Sequence, residues 1–326
     1  MEAPAGRLAG GPAGTPSHAE DALAVASADA PADAPGDVPR RYDRRSLSYA
    51  NTFASRRTRM AIRAVEWATG KVEVLARIRE FERRAARGEP QGGRAFWAAA
   101  LDVMGIAVLT PPAEVARIPR EGPVVAVANH PHGLVDGMVL AEVLGRVRPD
   151  YRILSRSILS GIDAAASSFL IPVPFPHEAD AQARMVAMRA RALAHLGQGG
   201  LVAVFPSGAV ASSPTAWGRP VEGEWNAFTA KLIRVSGAAV LPVFFPGSNS
   251  RAYQVAARVS ATLRQGLLLH EVVAAMDRPQ RPVVGEAIPP EAMAGMEPRA
   301  LMAWLRERTL GLGQPEGASS SGVGGS

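Results

Sequence analysis

The 326-residue chain contains no cysteine. Disulfides, thiolate metal ligands and a sulfur nucleophile are therefore excluded, and the absence fits a reducing compartment. Lysine is almost as scarce, with only Lys71 and Lys231. Nearly all of the positive charge is guanidinium, whose planar fork suits bidentate contact with phosphate or carboxylate. There is also no apolar run near the roughly 18 residues that a spanning helix needs. The best stretch, 96–109, is too short and carries Asp102. Arg7 is followed by no apolar segment ahead of a small-residue cleavage site, so no secretion signal is expected. A Gly-x-Ser-x-Gly elbow is missing, which argues against a serine hydrolase. No internal repeat is seen.

What is present is enough for a core: 47% of the residues are hydrophobic, and this length can form one large domain or two small ones. The net charge is +6 but unevenly spread, since six acids (Glu2, Glu20, Asp21, Asp29, Asp33, Asp37) stand against Arg7 and Arg40 at the start. The rest is a more basic body, which suggests a phosphate-bearing partner, either an anionic membrane or a nucleic acid. Residues 1–40 and 313–326 have too few large apolar side chains to offset the entropy of ordering, and disordered tails are expected there.

Residues 41–90 form a basic region. Between 56 and 87 Met60, Ile62, Val65, Trp67, Val72, Val74, Leu75, Ile78 and Phe81 recur at roughly helical spacing among arginines. The pattern predicts one or two amphipathic helices, divided at Gly70. Such a helix either lies on anionic lipid with Trp67 near the headgroups or packs on the body with a solvated arginine face. Beyond Pro90, short apolar runs at 124–128, 151–154, 201–205, 239–244 and 283–288 alternate with helical patterns at 94–104, 139–145, 180–196, 224–236 and 298–310. That alternation predicts an α/β fold, a sheet covered by helices on both faces.

The chemistry concentrates in one turn, Asn129-His130-Pro131-His132-Gly133-Leu134-Val135-Asp136-Gly137, between the first apolar run and a helical stretch. An imidazole at a strand end, with a carboxylate six positions on near a helix start, can be oriented by that carboxylate and take a proton from a hydroxyl. Two histidines, a proline and two glycines in one turn are common where backbone passes close to a ligand. The second block is Val204-Phe205-Pro206-Ser207-Gly208, a strand ending where ligands gather in open α/β sheets. Arg152, Arg156, Arg219 and Arg251 are candidate anion contacts, with Arg156 and Arg251 best placed.

These blocks resemble the glycerolipid (PlsC-like) acyltransferase superfamily, whose first motif is Asn-His, four residues, then Asp. The turn here holds five intervening residues, as in the haemolysin-like lysophospholipid and ornithine-lipid branch, Asn-His-Pro-x-Gly-x-x-Asp-Gly. The likeness continues through 146–150, 199–208, 225–228, 241–245 and 247–251. Where the superfamily commonly reads Phe-Pro-Glu-Gly-Thr-Arg, this chain has Ser207 and Val210 in place of the Glu and Arg. It also departs from the branch's Phe-Pro-Ala-Gly-Glu-Val-Ser, since Ala209 stands at the place of its Glu.

The resemblance implies a mostly parallel sheet flanked by helices over 91–312, with an N-terminal helical extension. It implies direct O-acyl transfer from an acyl thioester, on acyl carrier protein or coenzyme A, to a lysophospholipid or lyso-ornithine lipid hydroxyl. No cofactor, metal or nucleic acid is then expected. The enzyme would sit peripherally on the cytoplasmic face of the cell membrane. His130 would be the base and Asp136 its orienting partner, with Asn129, Gly133, Arg156, Pro206, Ser207, Gly208 and Arg251 lining the substrate site. Oxyanion donors are expected among backbone N–H groups of the His turn or the Ser207-Gly208 turn. Two rivals remain: a metal-dependent hydrolase using His130, His132 and Asp136, with later ligands from His177, His195 or His270, and a non-catalytic membrane-binding module.

Overall fold

The computed structural model describes residues 47–53, 55–93, 95–156, 164–175, 180–215 and 218–314. The tails expected at 1–40 and 313–326 lie outside them, apart from 313 and 314. Helices α1 (Arg56–Thr69) and α2 (Lys71–Ala86) meet at Gly70, where a side-chain carbon would stand 2.9 Å from the Leu269 carbonyl oxygen. The pair is tied down from inside. Buried Glu66 accepts from the Ser48 hydroxyl (2.7 Å) and the Tyr49 N–H (2.8 Å), and Lys71 donates to the Leu47 carbonyl at 2.8 Å. Burial pushes the Glu66 carboxyl above its ordinary range, with the Ser48 and Tyr49 hydrogen bonds acting in the opposite direction.

The body then runs α3 (Ala95–Val103), α4 (Pro112–Val115), β1 (Val124–Ala128), α5 (Leu134–Gly145), β2 (Tyr151–Arg156), α6 (Ala164–Ser168), β3 (Leu170–Val173), α7 (Ala181–Gly197) and β4 (Leu201–Val204). It continues through α8 (Ala227–Ser236), β5 (Ala239–Phe244), α9 (Arg251–Val259), α10 (Ala261–Gly266), α11 (Leu268–Ala275), β6 (Val283–Val284) and α12 (Pro298–Gly311). The sheet order is β3-β2-β4-β1-β5-β6, with β1 to β5 parallel and β6 antiparallel at one edge.

Central strand β1 is buried along its whole length, as expected of a parallel strand covered on both faces. Val124, Ala126 and Ala128 face a core shared with α2, α3, α5 and α11, while Val125 and Val127 face one shared with α7, α8 and α12. The alternation follows from the two-residue period of a strand. Strand β3 and helices α9 to α11 lie outside the sequence-based expectation, and the last apolar run forms a two-residue strand rather than a six-residue one.

On α2 most guanidinium charge is locally neutralised: Arg77 pairs with Glu73 and Asp277, Arg83 with Glu80, Arg84 with Asp102, and Arg87 with Glu89. On α1, Arg56, Arg57 and Arg59 form no ion pair among the described residues, and Met60 and Trp67 stay 71% and 55% exposed. No described helix is long and apolar enough to cross a membrane.

Candidate active site

The carboxyl ends of β4, β1 and β5, neighbours in the sheet, deliver the site. His130 follows β1 by one residue, and its ring stacks on Phe205 beyond β4, centroids 4.0 Å apart. The Asn129 side chain is committed to the end of β5, donating to the Phe245 carbonyl (2.8 Å) and accepting its N–H (2.7 Å). The residue named as a substrate contact is thus a bracket between two strand ends.

Asp136, 1% exposed in the first turn of α5, organises the turn. Its Oδ2 accepts from His130 Nδ1 (3.0 Å), the His132 N–H (2.8 Å) and the Gly133 N–H (3.1 Å), while Oδ1 accepts from His132 Nδ1 at 2.9 Å. An N3 carboxylate reaching back to the N-cap amide is half of a capping box, and glycine has no side chain to complete it. Gly133 has φ 75° and would bring a side-chain carbon 3.3 Å from Val210 Cγ2, so both conformation and space demand glycine. Burial alone would raise the Asp136 carboxyl, but the histidine hydrogen bonds and charges outweigh it and hold it below its usual value. At His132 burial would lower the imidazole, yet the bond and charge of Asp136, with Glu271 adding, leave it raised.

A carboxylate can only accept, so both Nδ1 atoms carry the proton and each Nε2 keeps its lone pair. The two differ in access. Gly247, at φ 95°, presses on His132, where a side-chain carbon would stand 2.9 Å from Nε2. His130 Nε2 has no hydrogen-bond partner among the described residues.

The second block joins this turn. Ala211 N–H donates to the His130 carbonyl at 2.8 Å, and Ser207 Oγ donates to the Ala209 carbonyl at 3.0 Å. Pro206 is buried, its carbonyl taken by the Asn226 N–H at 2.9 Å. Arg156, over the Phe175 ring, donates to the Pro174 carbonyl (3.1 Å) and reaches the Gly208 carbonyl at 3.5 Å. Arg251 opens α9, four positions past Gly247, on an exposed turn. Within the two turns expected to supply oxyanion donors, the amides of His132 and Gly133 serve Asp136 and that of Gly208 donates to the Phe205 carbonyl.

Two residues escaped the sequence reasoning. Buried Glu222 accepts the His130 N–H through Oε2 (3.1 Å) and Trp225 Nε1 through Oε1 (3.2 Å). Glu271 accepts both the N–H and hydroxyl of Ser250, at 2.7 and 2.6 Å. The Glu222–Trp225 spacing is a usable local signal; nothing near Glu271 points to the turn.

An apolar cavity of about 130 Å³ is lined by Leu134 of the His turn together with Met138, Phe81, Trp97, Ala100 and Val272.

Residues 114–245 match the family model described as Acyltransferase. The match supports the acyltransferase superfamily and spans β1 to β5, including the His turn and the Phe205-to-Gly208 segment. No curated protein matches the chain. A solved structure, the 1-acyl-sn-glycerophosphate (LPA) acyltransferase PlsC from Thermotoga maritima, is similar at 17% identity and a TM-score of 0.45, covering 72% of this chain and 81% of that one.

The remaining described histidines make their hydrogen bonds elsewhere than in the His130–Asp136 turn. His195 lies 2.5 Å from the Asp150 carbonyl and His270 3.1 Å from the Thr69 carbonyl, while His177 lies outside the described residues. Among the described residues no three His, Asp or Glu side chains are arranged to hold a metal.

Proposed function

We propose that the protein is a peripheral membrane O-acyltransferase that moves a fatty acyl group from a thioester to the hydroxyl of a lysolipid. The observation that carries the proposal is His130, its Nδ1 bonded to buried Asp136 and its Nε2 unpartnered at the mouth of the sheet. Nε2 takes the proton of the acceptor hydroxyl as the oxygen attacks the thioester carbonyl. The tetrahedral adduct then collapses with cleavage of the C–S bond, and the departing thiolate regains the proton from His130. Asp136 fixes the tautomer and offsets the charge of the imidazolium. We assign the acyl chain to the apolar cavity that Leu134 and Met138 help to line. No cofactor or metal enters the scheme; acyl carrier protein or coenzyme A carries the donor.

We assign the acceptor to the haemolysin-like class, a lysophospholipid or lyso-ornithine lipid. Ser207 and Val210 supply neither a carboxylate nor a guanidinium, so lysophosphatidic acid should be the poorer acceptor. Membrane contact is assigned to α1 rather than to the whole of 56–84, because the α2 arginines named above already face acids. The membrane is the cytoplasmic face of the cell membrane, and no nucleic-acid role is proposed.

The test is acyl transfer by purified protein with one thioester and each lysolipid. His130→Ala should lower turnover by roughly two to four orders of magnitude, the range for loss of a general base, while circular dichroism stays unchanged. Equal activity of the variant, or loss in His132→Ala alone, would contradict the assignment.

A further inference from the structure

His130 stands beyond the reach of the sheet. The register of β1 with β4 ends at Val127 and that with β5 at Ala128, so the peptide groups flanking the His130 α-carbon have no strand partner. One connecting segment holds them instead. Its near end gives the Ala211 N–H to the His130 carbonyl (2.8 Å), and its far end brings Glu222 Oε2 to the His130 N–H (3.1 Å). The two ends are joined to each other, with the Val221 N–H donating to the Ser212 carbonyl at 3.0 Å. The segment is in turn tied to α9 and α12. Gln254 Oε1 accepts the Ser213 N–H at 2.8 Å, and Arg306 donates to the Glu222 and Gly223 carbonyls at 2.5 and 3.0 Å.

We infer that Glu222 is a positioning residue for His130, whose carboxylate fixes the backbone from which the imidazole is aimed at the acceptor hydroxyl. The inference rests on the reading of His130 as the base. The choice of side chain supports it. Asn129, one residue earlier, meets one donor and one acceptor, and an amide serves both. At Glu222 two donors converge, the His130 N–H on Oε2 and Trp225 Nε1–H on Oε1, and a carboxylate supplies the two acceptor oxygens that an amide lacks. Burying such a group is costly. Glu222 is nevertheless buried and forms no ion pair among the described residues, since Arg306 reaches its carbonyl rather than its carboxylate.

The buried Trp225 indole steadies Oε1 while Oε2 faces His130. With its N–H and carbonyl both held, His130 directs its Cα–Cβ bond one way only. That direction puts Nδ1 on Asp136 and the ring on Phe205. A reacting group misplaced by about 1 Å can cost about a hundredfold in rate.

Three variants test the inference. Glu222→Leu removes both acceptors, Glu222→Gln leaves one oxygen for two donors, and Glu222→Gln with Trp225→Phe leaves one oxygen for one donor. With the donor and acceptor that support wild-type turnover, Glu222→Leu should lower kcat by about 10- to 100-fold at unchanged KM, and Glu222→Gln should lower it less. Adding Trp225→Phe to Glu222→Gln should restore much of that loss, which a second core substitution acting through stability alone would not do. The His130 Nδ1–H signal in ¹⁵N–¹H spectra at one pH should broaden in both single variants and sharpen again in the double variant. Unchanged kcat in all three, a rise in KM in place of the fall in kcat, or no recovery in the double variant would overturn the inference. Should Glu222→Leu fail to fold, Glu222→Gln and the double variant decide alone. A wild-type protein without acyl transfer would defeat the reading of His130 as the base, whereas the spectra would still report whether Glu222 holds the ring.

Discussion

Removal of the Asp136 carboxylate separates its structural from its electrical role. In Asp136→Ala four donors lose their acceptor: the backbone N–H groups of His132 and Gly133 and the two imidazole Nδ1–H groups. A buried donor left without a partner costs about 1 to 3 kcal/mol. The imidazoles can turn towards water, but the amides, fixed by the turn, cannot. Two stranded amides set a loss of about 3 to 5 kcal/mol after some relief from hydration. Asp136→Asn can place its carbonyl oxygen at the Oδ2 position and keep three of the four bonds, its amide facing a His132 that shifts its proton to Nε2. Only the charge is lost, about 1 to 2 kcal/mol. Urea denaturation at neutral pH should therefore rank wild type above Asn above Ala, the last two separated by about 2 kcal/mol. Equal stability of Asn and Ala would refute the reasoning. The pH sign follows from the folded values. Because Asp136 is depressed, its contribution is present above the ordinary carboxylate value of 3.8 and is lost as pH falls through the lower folded value. Because His132 is raised, its share is complete below 6.5 and is lost as pH rises through the folded value. The deficit of Asp136→Asn should be largest between those limits and shrink on either side.

Two further outcomes test the cavity and the membrane face. Ala100→Leu, which fills the cavity from α3, should lower kcat/KM for long-chain donors about tenfold, the order expected for a displaced pair of methylenes, while short-chain donors are spared; equal loss for both would remove the cavity from chain binding. Co-sedimentation with anionic vesicles should weaken with salt and with joint Arg56, Arg57 and Arg59→Gln changes, since each basic group near such a surface contributes about 1 kcal/mol; binding indifferent to both would rule out electrostatic attachment through α1.

The His130 and Asp136 pair was legible because both lie in one turn, where strand end, turn residues and helix start are read from eight consecutive letters. The five-strand alternation was legible for the same reason: apolar runs separated by helical periodicity need only local sequence. What failed was short or distant. Strand β3 is four residues with Pro172 inside, tolerable at a sheet edge but too short and interrupted to stand out among the apolar runs of the sequence. Helices α9 to α11 are a chain of three pieces capped by Ser250 and Ser260, too short for periodicity to stand out. The bond from His130 to Glu222 spans 92 positions, and the approach of Gly247 to His132 comes from beyond β5. Such contacts are set by strand order, which no local pattern encodes. That one carboxylate serves both rings follows from the turn's conformation, not its spelling.

The amide bracket from Asn129 to Phe245 has a consequence for motion. Its two bonds reproduce, with a side chain, the rung that a peptide would add to the β1–β5 ladder, one step past its end. The His turn and the segment carrying Gly247 are therefore hinged on a common rung and travel as one body; a substrate that displaced either would carry the other along. In hydrogen-exchange measurements the Phe245 amide, though outside any strand, should be as slow to exchange as its neighbours within β5, and should quicken together with them when Asn129 is replaced by Leu.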